Sequence, residues 1–145
     1  MTIRETRSAI VEALDALPDV SVAPYRGEIS DPKKPSINFH HLPAIFVDYI
    51  GDESDGERRT LYFNLYIVHL SFSANETYRD GARGELFDLL EQTDSALRHV
   101  SDVTLLPRRS KKIYDDRTPK GYLSIYTRAV EAQITDEGVN EWNLE

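Results

Sequence analysis

The sequence predicts an α+β domain: one antiparallel β-sheet, with a mixed sheet left open, and two α-helices packed on one face, in the order α-β-β-β-α-β-β. Three observations carry this. Two stretches repeat apolar residues at helical i, i+3, i+4, i+7 spacing, one at each side of the chain's middle. Two long runs, "TLYFNLYIVHLSFSA" and "YLSIYTRAVEAQI", are rich in β-branched and aromatic residues and read as strands. The length of 145 residues and 40% hydrophobic content suit one domain with one core.

The elements follow in order. Thr2-Ile3-Arg4-Glu5 has the form of a capping box, and Ile3, Ile10, Ala13, Leu14 and Leu17 make the apolar face of a helix that Pro18 stops. Val20 to Tyr25 alternates as a short strand, with Pro24 marking an edge or an exit. Gly27 to Pro43 is irregular, with Pro32, Pro35 and Pro43, and is expected to be a flexible or functional loop. Ala44 to Ile50 is a strand, and the acidic turn from Gly51 to Glu57 returns it as a hairpin. A strand from Thr60 to Ala74 would run roughly 50 Å at ~3.3 Å per residue, so it must bend or project beyond the core.

Ala74 to Gly81 reads as a polar connection. The second helix is placed over Ala82, Leu86, Leu89, Leu90, Thr93, Ala96, Leu97 and Val100. Val103 to Leu106 reads as a short strand, followed by the basic run Arg108-Arg109-Ser110-Lys111-Lys112 and a turn from Asp115 to Gly121. Tyr122 to Ile134 is the last strand. The domain is therefore 1–135, with flexible loops near 27–43 and 51–59, and 136–145 is an acidic tail whose only marked residue is Trp142.

Composition narrows the function classes. The formal net charge of −8 argues against sequence-independent nucleic-acid binding by the chain as a whole and against an anionic membrane surface. With no cysteine there is no disulfide framework, no Cys-ligated zinc and no thiol nucleophile. The N-terminus has no apolar leader segment, and the longest apolar stretch is too short for a membrane span and contains Asn64 and His69. These point to a soluble globular chain.

Chemistry-bearing motifs are absent. His40 and His41 are adjacent, so on extended backbone they point opposite ways, and no HExxH pattern accompanies them. No GxSxG and no phosphate loop occurs, and Gly81 and Gly84 fit helix-start glycines better than a dinucleotide fingerprint. Asp115-Asp116 is a pair that acidic composition alone produces. The expectation is no enzyme, no metal, no cofactor and no small-molecule substrate.

The strand from Thr60 raises a sharper question. Leu61, Phe63, Leu65 and Ile67 point one way, while Tyr62, Tyr66, Val68, Leu70 and Phe72 point the other. Two helices cover one face only. Either the sheet or the 27–43 loop covers the second face, or Tyr62, Tyr66, Val68 and Phe72 form an exposed strip for another subunit, each burial being worth about 1.5–3 kcal/mol. The basic residues Arg108, Arg109, Lys111 and Lys112 and the acidic residues Asp52, Glu53, Asp55 and Glu57 would suit head-to-tail contacts if they fall on different edges. The competing account of these clusters is solvated charge. A basic run beside Tyr114 also suits nucleic acid or an acidic protein, and the net charge favours the protein.

The segments "LPAIFVDYIGDE", "GARGELFDLLEQTDSALRHV" and "GYLSIYTRAVEAQIT", taken with the element order and length, resemble the tail-terminator (tail-completion, minor tail) proteins of Mu-like phages and prophages over roughly Thr2 to Thr135. The resemblance implies a homohexameric ring at the head-proximal end of a tail, which stops tube polymerisation and presents the surface for head joining. It implies tail-tube and head-neck proteins as partners, a place in the virion tail with assembly in the host cytoplasm, and no cofactor or turnover. The residues to face the tube would come from the loop (Lys33, Lys34) and the hairpin tip (Asp52, Glu53, Asp55, Glu57). Other neck, connector or tube-like subunits share this logic, and a soluble binding module using 108–112 is the remaining alternative.

Overall fold

The computed structural model describes residues 1–71 and 76–135, with the side chains of 76–82 and 135 left aside. Phe72 and the acidic tail with Trp142 therefore lie outside the described residues. Two helices and five strands follow in the expected order: α1 (Ile3–Asp15), β1 (Ser21–Pro24), β2 (Ala44–Ser54), β3 (Arg58–Ser71), α2 (Glu76–Arg98), β4 (Thr104–Thr118) and β5 (Gly121–Thr135). A single 3₁₀ turn, Phe39–His41, sits in the loop before β2. The α+β class holds, and the sheet is mixed.

The capping box at the start of α1 is formed in both directions. Thr2 N donates to Glu5 Oε1 at 3.0 Å and Glu5 N donates to Thr2 Oγ1 at 3.1 Å. These hydrogen bonds hold the Glu5 carboxyl below its ordinary range. The helix then buries Thr6, Ile10 and Leu14 along one face.

The strand order across the sheet is β1-β2-β3-β5-β4. β1 pairs parallel with Ala44–Val47 of β2, and the other three pairings are antiparallel. α2 carries the chain from β3 past the position of β5 to the far edge, and β5 then returns to fill the gap. The long strand ends at Ser71, and it is central rather than projecting, because β2 and β5 flank it along most of its length.

Both helices cover the same face. Leu61, Phe63, Leu65 and Ile67 are fully buried beneath Ile10 and Leu14 of α1 and Leu86, Leu89, Leu90 and Leu97 of α2. Val130 and Ala132 from β5 and Leu105 from β4 extend this core.

The opposite face corrects the exposed-strip expectation. Val68 is completely buried, together with Leu70, Leu123, Ile125 and Ile29, in a second cluster. Ile37, Phe39 and Leu42 from the loop after β1 pack onto it, as do Tyr25, Phe46, Tyr66 and Tyr114. Tyr66 stacks on Tyr25 with ring centroids 4.4 Å apart and planes 17° apart. The loop thus seals the half of the second face that the strip was to occupy, so Val68 and Tyr66 serve the protomer's own core. Tyr62 lies on the half that the loop leaves open, but its neighbours there are Thr60, Asn64, Glu131 and Gln133, which are polar.

Two element boundaries also differ from expectation. α2 begins at Glu76, so the stretch read as a polar connection is largely helical, and Gly81 and Gly84 lie inside the helix. β4 is continuous over 15 residues and includes both the basic run and most of the segment read as a turn.

Candidate functional site: two open sheet edges

Among the described residues, no strand pairs with the outer side of β4, and β1 covers β2 only as far as Val47. The sheet therefore ends in two open edges: all of β4 on one side, and the half of β2 from Asp48 to Ser54 on the other. Long open edges attract another chain's backbone unless charge, proline or bulges blunt them.

β4 carries the basic residues. Arg108, Arg109, Lys111 and Lys112 are all exposed, and the pairing with β5 shifts register between Pro107 and Ser110 and again between Lys112 and Tyr114. Arg108 Nη2 lies 3.1 Å from Glu131 Oε2, and Lys112 Nζ lies 3.9 Å from Asp115 Oδ2. Arg109 and Lys111 make no ion pair among the described residues. The first bulge is fastened by Arg128, whose Nη1 donates to the Arg108 carbonyl at 3.0 Å while Nη2 binds Asp94 of α2 at 3.0 Å.

The other edge is acidic. Asp52, Glu53, Asp55 and Glu57 are exposed at the β2–β3 tip. Asp52 accepts from Arg59 Nε at 2.8 Å and from the Tyr49 hydroxyl at 3.0 Å, and these two bonds, Arg59 first, hold its carboxyl below the usual range. Glu53 accepts from the Tyr62 hydroxyl at 3.2 Å. Asp55 closes the turn by accepting from the Arg58 amide at 2.8 Å. Asp48, half-buried on the sheet, has its carboxyl pushed up by desolvation. Lys33 and Lys34 are exposed on a turn of the loop, where Asp31 accepts from both backbone amides.

The structure therefore puts the acidic and basic clusters on opposite edges of one sheet, as the head-to-tail expectation requires. It also supplies two residues the sequence reading passed over. Ile50, extruded where the β2–β3 register shifts between Tyr49 and Gly51, is 53% exposed, and Ile113, extruded at the second bulge of β4, is 38% exposed. A glycine directly after an apolar residue inside a strand was the available signal for the first.

A polar cluster joins the first described turns of α2 to the sheet. Arg83 Nη2 lies 2.7 Å from Asp115 Oδ2, Ser124 Oγ donates to Asp115 Oδ1 at 2.7 Å, and His69 Nε2 lies 3.7 Å from Glu85 Oε2. His69 and Ser124 face each other across β3 and β5. Ser124 nevertheless bonds to the carboxylate rather than to the imidazole, so the cluster has the geometry of a clamp on α2. Burial lowers the His69 pKa, with Glu85 opposing the shift. No group of three or more His, Asp or Glu side chains among the described residues is placed to hold a metal ion, and no described helix is long and apolar enough to cross a membrane. A cavity of about 200 Å³ between β1, β2 and the loop has a mixed lining, apolar from Val22, Ile37, Leu42 and Phe46 and polar from Glu28, Asn38 and His41.

No family model matches the chain, and no curated protein matches it. Among solved structures the chain is similar to one from the virion of a native gene transfer agent particle, at 14% identity and a TM-score of 0.43, with 89% of this chain and 93% of that chain covered.

Proposed function

We propose that the chain is a structural subunit of a phage-type tail that closes the tube as a head-to-tail homohexameric ring, ends its polymerisation and presents the surface to which the head joins. It works without turnover or cofactor. The observation that carries this reading is the opposite charge on the two open edges: a basic β4 and an acidic β2 half running to the β2–β3 tip, each with an outer side that no described strand pairs. A single protomer cannot satisfy both edges, whereas identical copies in the same orientation can, and such heterologous contacts close into rings when the rotation between copies allows. The sequence resemblance to tail terminators supports the same role. In the ring, the acidic hairpin tip is taken up by the contact between copies, and the loop bearing Lys33 and Lys34 is the surface offered to the tube and the neck.

The test is negative-stain microscopy of the purified protein alone and mixed with tail tubes. Rings capping one end of the tubes are expected. A protein that stays monomeric at high concentration and leaves tube ends bare contradicts the proposal. A second reading, in which β4 grips an unrelated acidic protein, draws on the exposed Arg109 and Lys111. It predicts salt-sensitive binding of that protein with no self-association.

A further inference from the structure

The ring reading leaves open how one copy meets the next, and on that reading we infer that the contact is strand pairing, with β4 of one copy adding antiparallel to the Asp48–Ser54 half of β2 in its neighbour. Strand direction is the first ground. β2, β3, β5 and β4 are successively antiparallel, so β4 runs opposite to β2 within one protomer. A second copy in the same orientation then brings its β2 antiparallel to the first copy's β4, and the sheet continues without a change of sense.

Register is the second ground. Following the rungs across the sheet, Ser110 is level with Val47 through Arg128 and Leu65. A neighbour set level would therefore meet the basic run with its β1, which occupies β2 from Ala44 to Val47. Sliding the neighbour by four rungs, about 14 Å at ~3.4 Å per residue, moves the basic run onto the free half of β2. An even slide keeps each helix-bearing face on the same side. Ser110 then stands opposite Asp52, with Arg108 and Arg109 beside Glu53.

Three separate features fit that one slide. Opposite charges meet along the edge. Ile113 comes within a rung of Ile50, so the two bulged, exposed isoleucines cover each other. The bulge at Ile113 also bends β4 at the point where its last residues would otherwise run into the neighbour's β1, since a bulge turns its strand off the sheet line.

The chain has no cysteine, so engineered pairs report without background. The experiment uses the full chain carrying both Ile50→Cys and Ile113→Cys, each single variant, and a Ser110→Cys/Asp52→Cys pair as the second register probe, oxidised at low salt. The oligomer of the unmodified chain is measured in parallel by sedimentation velocity. A ladder of covalent multimers from either double variant, ending in a closed species, is expected, with no ladder from the single variants. If the unmodified chain forms rings but neither double variant cross-links, the strand-pairing inference is overturned and the ring reading survives. A covalent dimer from Ile50→Cys alone also overturns it, because that would mark a two-fold β2–β2 contact. If the unmodified chain forms no oligomer either alone or on tail tubes, both readings fall.

Discussion

Arg128 shows how much one side chain can organise here. Its guanidinium ties the bulge of β4, through the Arg108 carbonyl, to Asp94 on α2, and both members of the ion pair are largely shielded, at 15% and 17% side-chain exposure. One oxygen of Asp94 and Nε of Arg128 have no partner among the described residues, so the pair is incompletely compensated there. Removing one member strands the other charge in a poorly hydrated place. Asp94→Ala is expected to cost about 3 kcal/mol in urea unfolding, and Asp94→Ala with Arg128→Met to regain most of it. His69 gives a second residue-scale outcome. Its pKa is lowered in the folded protein by burial, so on acidification the unfolded chain takes up the proton first. Stability should therefore fall as pH drops through the ordinary histidine value near about 6.5, in part offset by Glu85. Urea titrations at about pH 7.5 and about pH 5.5 check this. The fall should be smaller in His69→Gln, and an unchanged slope in that variant contradicts the assignment.

At the scale of elements, the turn between β4 and β5 depends on glycine. Gly121 has φ +140, and a Cβ there would lie 2.6 Å from the Ser71 carbonyl oxygen at the end of β3. Both the backbone angle and the contact with main chain oppose a side chain, so Gly121→Ala should destabilise by about 2–4 kcal/mol, read as a lowered denaturation midpoint. The elements also differ in how far the sequence discloses them. The capping box is local, and Thr2 and Glu5 suffice to find it. The helix-facing row Leu61, Phe63, Leu65 and Ile67 follows from alternation alone. β4 was hidden because Pro107 and four cations within five residues look like a loop; an edge strand needs no apolar outer side and tolerates both. The start of α2 was hidden by Gly81 and Gly84, which helices accept at a modest cost. The 27–43 loop is one of the covers the sequence allows for the second face, but the points at which it touches the sheet are the least legible part of the fold. Ile29, Ile37, Phe39 and Leu42 have no period, because an irregular loop meets the sheet at points that tertiary structure alone sets. Their apolar character in a proline-rich stretch is the one signal for these contacts. A Tyr66→Lys substitution consequently reports on the loop's packing and not on assembly.

For the whole molecule, the covered second face changes what the chain offers to others. A broad apolar face is not what it offers: among the described residues, the large exposed hydrophobic side chains are Met1, Ile50, Phe87 and Ile113, and only Ile50 and Ile113 lie on the two sheet edges. What remains is a sheet with oppositely charged ends. Individual exposed ion pairs contribute about 0–1 kcal/mol each, so no single residue holds such a contact, and its strength should fall as salt rises. The legible part of the site was therefore its charge, visible as two clusters in the sequence. Their arrangement on opposite edges depends on β5 inserting between β3 and β4, which no local pattern announces. The most direct measurement of the central claim is a charge exchange between two variants, followed by sedimentation velocity at low salt. Arg109→Glu/Lys111→Glu/Lys112→Glu turns the run 108–112 from four positive charges to a net of two negative, so both edges are acidic, and Glu53→Lys/Glu57→Lys, with Arg58 and Arg59 beside them, makes the tip net positive like β4. Each variant alone should remain monomeric and an equimolar mixture should restore rings of alternating copies. A mixture that stays monomeric while the unmodified chain assembles, or either variant assembling alone as the unmodified chain does, would contradict the account.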